Sequence, residues 1–176
     1  DIDQDQALVR AEMASGMGQF TWAKGQIVWD DPAQQEALEN TAGGSRLISA
    51  LYKKVDTVQH SLDVESAYFV LSERSIDAIR RMVDRGASVR ILTNSLASND
   101  VLAAHAGHAL FRTEMLEAGA ELYEMRPDSN VIRKTWDGES RAGLHTKALV
   151  FDAESVFIGS FNLDPRSANI NTEAGL

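Results

Sequence analysis

The sequence predicts an α/β fold: a mixed, mainly parallel sheet flanked by helices on both faces. Three observations predict it. Apolar runs of strand length alternate with stretches of helical periodicity, and strands separated by helices pair in parallel through right-handed crossovers that cover the sheet. Near the carboxyl end the rhythm changes to two short apolar runs, TKALVF and SVFIG, separated by the turn-forming DAES, which reads as a buried hairpin. The chain has 176 residues, 44% of them hydrophobic, enough for the core of one ordinary domain.

Taken in order, the first 40 residues are placed loosely, with LVRAEMAS as helix and QIVW as strand. NTAGGS, residues 40 to 45, is small and polar and is the nearest thing to a linker. Residues 46 to 60 put Leu47, Leu51, Val55 and Val58 at helical spacing, and LDVESAYFV, 62 to 70, then reads as a strand. In SERSIDAIRRMVDRG, Ser72 or Ser75 caps a helix whose one face carries Ile76, Ile79, Met82 and Val83, and Gly86 stops it before the strand ASVRILTN. A long helix from Asn99 to Ala118 ends at Gly119, and AELYEMR follows as a strand. No internal repeat interrupts this series, so residues 1 to 176 read as a single domain.

Composition narrows the function classes. The formal charge is 17 basic minus 26 acidic residues, or -9, which argues against a surface that tracks nucleic-acid phosphates and leaves room only for a local basic pocket. With no cysteine there is neither a disulfide framework nor a thiolate metal site. No stretch approaches the roughly 20 apolar residues that cross a bilayer, and DIDQDQALVR lacks the features of a signal peptide, so the chain reads as soluble. It begins without Met and stops at NTEAGL as an extended segment starts, which reads as a fragment of a longer protein.

The chemistry concentrates between residues 145 and 173. Side chains alternate along TKALVF, so His145 and Lys147 share a direction. An imidazole can take or give a proton near neutral pH or attack phosphorus, and an ammonium beside it holds phosphate oxygens. Ser160 and Asn162, two apart beyond SVFIG, can donate hydrogen bonds to the same oxygens, and Gly159 lets the backbone approach a ligand. Glu173 is the candidate carboxylate for orienting an imidazole through its second nitrogen. Singly, each has an ordinary reading: His145 as a satisfied structural group, Lys147 as a solvated edge charge, Asp152 as a turn residue. Jointly, His145-x-Lys147-x4-Asp152-x6-Gly159-Ser160-x-Asn162 contains too many fixed offsets for chance.

This string matches the HxKx4Dx6GSxN signature of the phospholipase D superfamily without a departure, and Glu173 follows where that family places its acid. Together with SAYFV, RILTNSLASNDVLAAHAGHALFRTEMLEAGAELYEMRPD and GSFNLDPRSANINTEAGL, it resembles the C-terminal half of bacterial cardiolipin synthases, most closely the C type, over residues 20 to 176. The resemblance implies one of two HKD signatures, hence half of an active site. It implies a phosphatidyltransferase that joins phosphatidylglycerol to a second phospholipid through a phosphohistidine, with no cofactor and no metal. In that scheme His145 is the acid/base histidine, Lys147, Ser160 and Asn162 neutralise the non-bridging oxygens, Glu173 orients, and Asp152 is a motif member that shapes the turn or the half-site interface. The implied partners are the phospholipid, the other HKD half or a second copy of the chain, and a membrane surface reached peripherally, at the cytoplasmic face of a bacterial inner membrane. No nucleic acid is expected. The alternatives are a phosphodiesterase or nuclease acting as a homodimer, and a catalytically inert half.

Lesser candidates lie elsewhere. His105 and His108, three apart on one helix, have a spacing compatible with metal ligation but no third ligand; a structural pair is the simpler reading, and the resemblance makes His105 a headgroup contact. Tyr68 and Phe69 end their strand where α/β folds place ligands, with core packing as the alternative. Ala67 and Leu71 stand where related sequences tend to carry prolines. Trp22, Trp29 and Trp136 suit either packing or a membrane interface. The long polar loop RPDSNVIRKTWDGESRAG, basic at Arg133, Lys134 and Arg141, is a candidate membrane-facing or headgroup-binding loop.

Overall fold

The computed structural model describes residues 23–31, 45–95, 102–125 and 143–176, with side chains of the third segment from residue 109 onward. The strands are β1 (Val28–Trp29), β2 (Ser61–Ser66), β3 (Ser88–Asn94), β4 (Glu121–Met125), β5 (Lys147–Phe151), β6 (Ser155–Ile158) and β7 (Ala174–Gly175). The helices are α1 (Arg46–Asp56), α2 (Glu73–Asp84), α3 (Leu102–Glu117) and α4 (Pro165–Asn169). Five strands form the central sheet in the order β4-β3-β2-β5-β6, and β1 pairs with β7. Among the described residues no helix is long and apolar enough to cross a membrane.

The sheet is mixed and flanked by helices, as the alternation predicts. β2 pairs in parallel with β3 and β3 with β4, while β2 with β5 and β5 with β6 are antiparallel, so the two modes are equal in number. The hairpin sequence decides this: a three-residue turn can only return the chain antiparallel. The predicted QIVW strand is present as the two residues of β1, and the extended start at NTEAGL as β7, which a Gly159–Gly175 bridge joins to the hairpin.

Burial along β2 and β3 alternates. Leu62, Val64, Val89 and Ile91 are 1–5% exposed, whereas Asp63 and Arg90 face away and pair with each other. The buried side meets α1, α2 and α3 through Leu47, Ile76, Ile79, Met82 and Met115. Each such side chain contributes about 1.5–3 kcal/mol by leaving water. Helix ends follow local chemistry. Ser45 caps α1 and Ser72, rather than Ser75, caps α2, each through its side-chain oxygen. Past the ends of α2 and α3, Gly86 and Gly119 hold φ near +90°, the conformation that stops a helix at glycine.

One strand ends earlier than its pattern suggests. LDVESAYFV is extended only to Ser66; beyond it Ser66 Oγ donates to the Tyr68 carbonyl at 2.7 Å and the chain turns. Phe69 then bridges to Leu163, and Val70 N–H donates to the Leu163 carbonyl at 2.7 Å. That contact with a segment nearly a hundred residues away overrides the local strand pattern.

Candidate functional site

Lys147 sits at the carboxyl edge of the parallel strands, between two neighbours. Its Cα partner on β2 is Ser66, and on its other side Gly159 N–H donates to the Lys147 carbonyl at 3.1 Å. The hairpin thereby brings His145, Lys147, Gly159 and Ser160 to one sheet edge, the place where α/β folds put ligands. Asn162 lies on the loop leaving that edge, and Glu173 on the segment that returns to it.

His145 is exposed, immediately before β5. The backbone just ahead of it is clamped by a residue the sequence reading passed over. Buried Asn94, the last residue of β3, accepts from Leu144 N–H through Oδ1 at 2.7 Å and donates through Nδ2 to the carbonyls of Leu144, at 2.9 Å, and Ala67, at 3.1 Å. Its signal in the sequence is an amide side chain at the last position of a strand, at the sheet edge where α/β folds put ligands. Lys147 Nζ donates to the His145 carbonyl at 2.9 Å, which holds the ammonium beside the histidine.

The Ser160 hydroxyl donates to Glu173 Oε2 and accepts from Ala174 N–H at 3.1 Å. Glu173 is 5% exposed, and its other oxygen accepts from Asn171 Nδ2 at 3.2 Å. The carboxylate expected to orient an imidazole is thus occupied with Ser160 and Asn171. Asp30, a second missed residue, fixes the Glu173 backbone: Asp30 N–H donates to the Glu173 carbonyl at 2.9 Å. The buried Asp30 carboxylate also accepts from Ser45 Oγ at 2.7 Å and Leu47 N–H at 3.1 Å, tying this segment to the start of α1. Asn162 Oδ1 is buried without a hydrogen-bond partner among the described residues, which leaves capacity for a ligand donor.

One expectation needs correction. The close approach foreseen at Gly159 is made by the chain itself. A Cβ there would collide with the Ala174 carbonyl, and would lie 2.7 Å from Phe157 Cζ and 2.9 Å from Gly175 Cα, so glycine admits β7 rather than a ligand. Asp152 stands at the opposite end of the hairpin from His145. It and Ala153 hold φ of 55° and 54°, forming the turn closed by Glu154 N–H on the Phe151 carbonyl at 3.0 Å. The Asp152 carboxylate accepts from the N–H groups of Gln59 at 3.0 Å, His60 at 2.7 Å and Ser61 at 2.9 Å. Donation from the backbone of Ser61, His60 and Gln59 favours the ionised form and lowers its pKa from 3.8 to about 2.

Tyr68 is half-buried in the turn after β2, beside buried Phe69, whose side chain is core, at 3% exposure. His105 lies on α3, but its side chain, like that of His108, is outside the described residues. So are Trp22, Trp136 and the loop with Arg133, Lys134 and Arg141. Trp29 is 52% exposed, with the Arg46 guanidinium 5.7 Å above its ring.

The family described as cardiolipin synthase, PLD-like domain, matches residues 51–176. Cardiolipin synthase C of Escherichia coli (strain K12) is 40% identical over 167 residues, 93% of this chain but 35% of that protein, so the chain spans about a third of that relative's length. Among solved structures, the phospholipase D family member Nuc from Salmonella typhimurium is 21% identical with a TM-score of 0.55, covering 85% of this chain and 78% of that one. NucT from Helicobacter pylori is 17% identical with a TM-score of 0.59, covering 86% and 82%. At these identities the two structures show a shared fold.

Proposed function

The chain belongs to the cardiolipin synthase, PLD-like domain family, and from that membership we propose that it is one catalytic half of a phosphatidyltransferase that makes cardiolipin. The observation that carries this reading is the identity of 40% with a cardiolipin synthase over 93% of the chain, far beyond the HKD string. The other HKD half, from the rest of a longer chain or from a second copy, supplies the second histidine. The enzyme works peripherally at a bacterial inner membrane, on its cytoplasmic face, and phospholipid is its substrate.

In the first step an imidazole nitrogen of the partner half attacks the phosphorus of phosphatidylglycerol. The phosphorus–oxygen bond to the glycerol headgroup breaks, and His145, as imidazolium, gives its proton to the departing oxygen. In the second step neutral His145 takes the proton of a hydroxyl on the second phospholipid, that oxygen attacks phosphorus, and the phosphorus–nitrogen bond breaks to release cardiolipin. Dividing the displacement in two is the general advantage of covalent catalysis. Two histidines with opposite tasks need opposite protonation states. Lys147 and the Asn162 amide hold the non-bridging oxygens as negative charge develops, and Ser160 contributes its hydroxyl when it turns from Glu173 toward phosphate. Glu173 then serves the imidazole, as in a triad. By the same family resemblance, His105 would contact the headgroup, as would Tyr68 from the turn after β2.

The test is mass-spectrometric product analysis of the protein with its native ends, incubated with phosphatidylglycerol vesicles. Cardiolipin and free glycerol are the expected products. Phosphatidic acid in their place would make the protein a hydrolase. No lipid product, with cleavage of single-stranded DNA, would overturn the lipid reading in favour of a phosphodiesterase acting as a homodimer.

A further inference from the structure

We propose that the cavity between α1, α2 and the central sheet binds one alkyl chain of an anionic amphiphile, with the anionic head at Arg74. The cavity measures about 370 Å³. That falls within the range of roughly 300–1,000 Å³ typical of ligand pockets. Its partly exposed apolar walls, including Leu51, Val55, Val70 and Leu163, offer water no side-chain hydrogen bonds. A flexible apolar chain fits such a space better than water does.

The polar groups gather at the rim. Tyr52 Oη lies 3.0 Å from Ser75 Oγ, which lies 3.1 Å from Ser72 Oγ. The exposed Arg74 guanidinium stacks 4.0 Å above the Tyr52 ring and has no ion pair among the described residues. Arg74 stands in the first turn of α2, where the helix dipole is already positive, with Glu73 as the acid of that turn. Asp164, the other carboxylate at the cavity, is engaged in capping α4, accepting from Arg166 and Ser167 N–H at 2.8 Å each. Apolar depth with a cation at the mouth matches an alkyl chain with an anionic head. The occupant is an acyl chain of the phospholipid substrate, an identification that rests on the proposed function. The far wall supports it: Phe161 and Leu163 line the cavity on either side of Asn162, so a bound chain braces the catalytic loop.

The experiment titrates the full-length protein with dodecyl phosphate below its micellar concentration, by calorimetry and by methyl NMR. The expected result is saturable binding, with nuclear Overhauser effects from Leu51, Val55 and Leu163 methyls to the chain. Arg74→Gln weakens it about tenfold, as for loss of a charge-assisted contact. Ala78→Phe, or Ala168→Leu from the opposite wall should the first variant not fold, removes binding without shifting the melting temperature downward. Binding that survives filling of the cavity, effects to methyls elsewhere, or no saturable binding overturns the site. Phosphatidylglycerol vesicles spin-labelled in the acyl chain then broaden the same methyls; sharp methyls there, with dodecyl phosphate bound, would make the occupant a free monoacyl amphiphile and overturn its identification as substrate. Cardiolipin formation without chain binding sinks this proposal alone, and chain binding without any lipid product sinks the catalytic reading alone.

Discussion

The two ends of the β5–β6 hairpin carry parts of one sequence signature and treat their polar groups in opposite ways. At the turn, Asp152 accepts from three successive backbone N–H groups. At the other end, among the described residues, His145 is exposed, the Lys147 ammonium bonds only to the carbonyl two residues before it, and Asn162 Oδ1 is buried without a partner. A polar group saturated by backbone donors holds a fold together, whereas polar groups with unspent capacity at a sheet edge are disposed to meet a ligand. A shared motif therefore does not imply a shared task. Asp152 fixes where β2 begins and so sets the register of the sheet whose far edge presents the site.

Substitutions at the two ends sharpen this contrast. Lys147→Ala should lower turnover in the full-length protein by about 10²–10³-fold, the loss expected for one charge-stabilising donor, with an unchanged melting temperature. A variant that turned over lipid normally would place the ammonium outside the chemistry. Asn94→Ala sits between the two behaviours. It deletes three hydrogen bonds of a buried side chain, should cost about 1–3 kcal/mol in denaturant unfolding, and should reduce turnover by up to about 10²-fold by releasing the backbone ahead of His145. Loss of stability with full activity would show that the clamp does not position the histidine.

Asp152→Asn should have the smallest effect on turnover and a clear effect on acid stability. The native pKa, about 2, lies below the ordinary 3.8, so the ionised carboxylate stabilises the fold above about pH 4 and loses that effect as pH falls toward 2. Wild type and variant should therefore differ in melting temperature at neutral pH and converge between pH 4 and pH 2. Parallel curves across that window would mean that the backbone donors do not act through the charge.

The fold and the residues of the site were legible to the extent that their signals are local. Helix caps, apolar faces, the turn at DAES and the offsets of His145, Lys147, Ser160 and Asn162 are all written within a few dozen residues. What could not be read depends on partners far along the chain. Asp152 finds its donors 91 to 93 residues away, Asp30 meets Glu173 at a separation of 143, and β2 stops at Ser66 because Phe69 pairs with Leu163. Gly159 misled for the same reason, since the backbone that approaches it belongs to β7. Glu173 was found as a residue, but its engagement with Ser160 follows from the closure of that strand.

Whether the exposed end of the hairpin performs phosphoryl transfer while the turn end supports the fold is decided by His145→Ala. The measurement is the initial rate of cardiolipin formation from phosphatidylglycerol vesicles by the full-length variant, with its melting temperature taken alongside. The expected result is a rate lowered by at least about 10²–10⁴-fold, the contribution of a positioned acid/base, in a protein that melts as the wild type does. A variant that forms cardiolipin at the wild-type rate would contradict it.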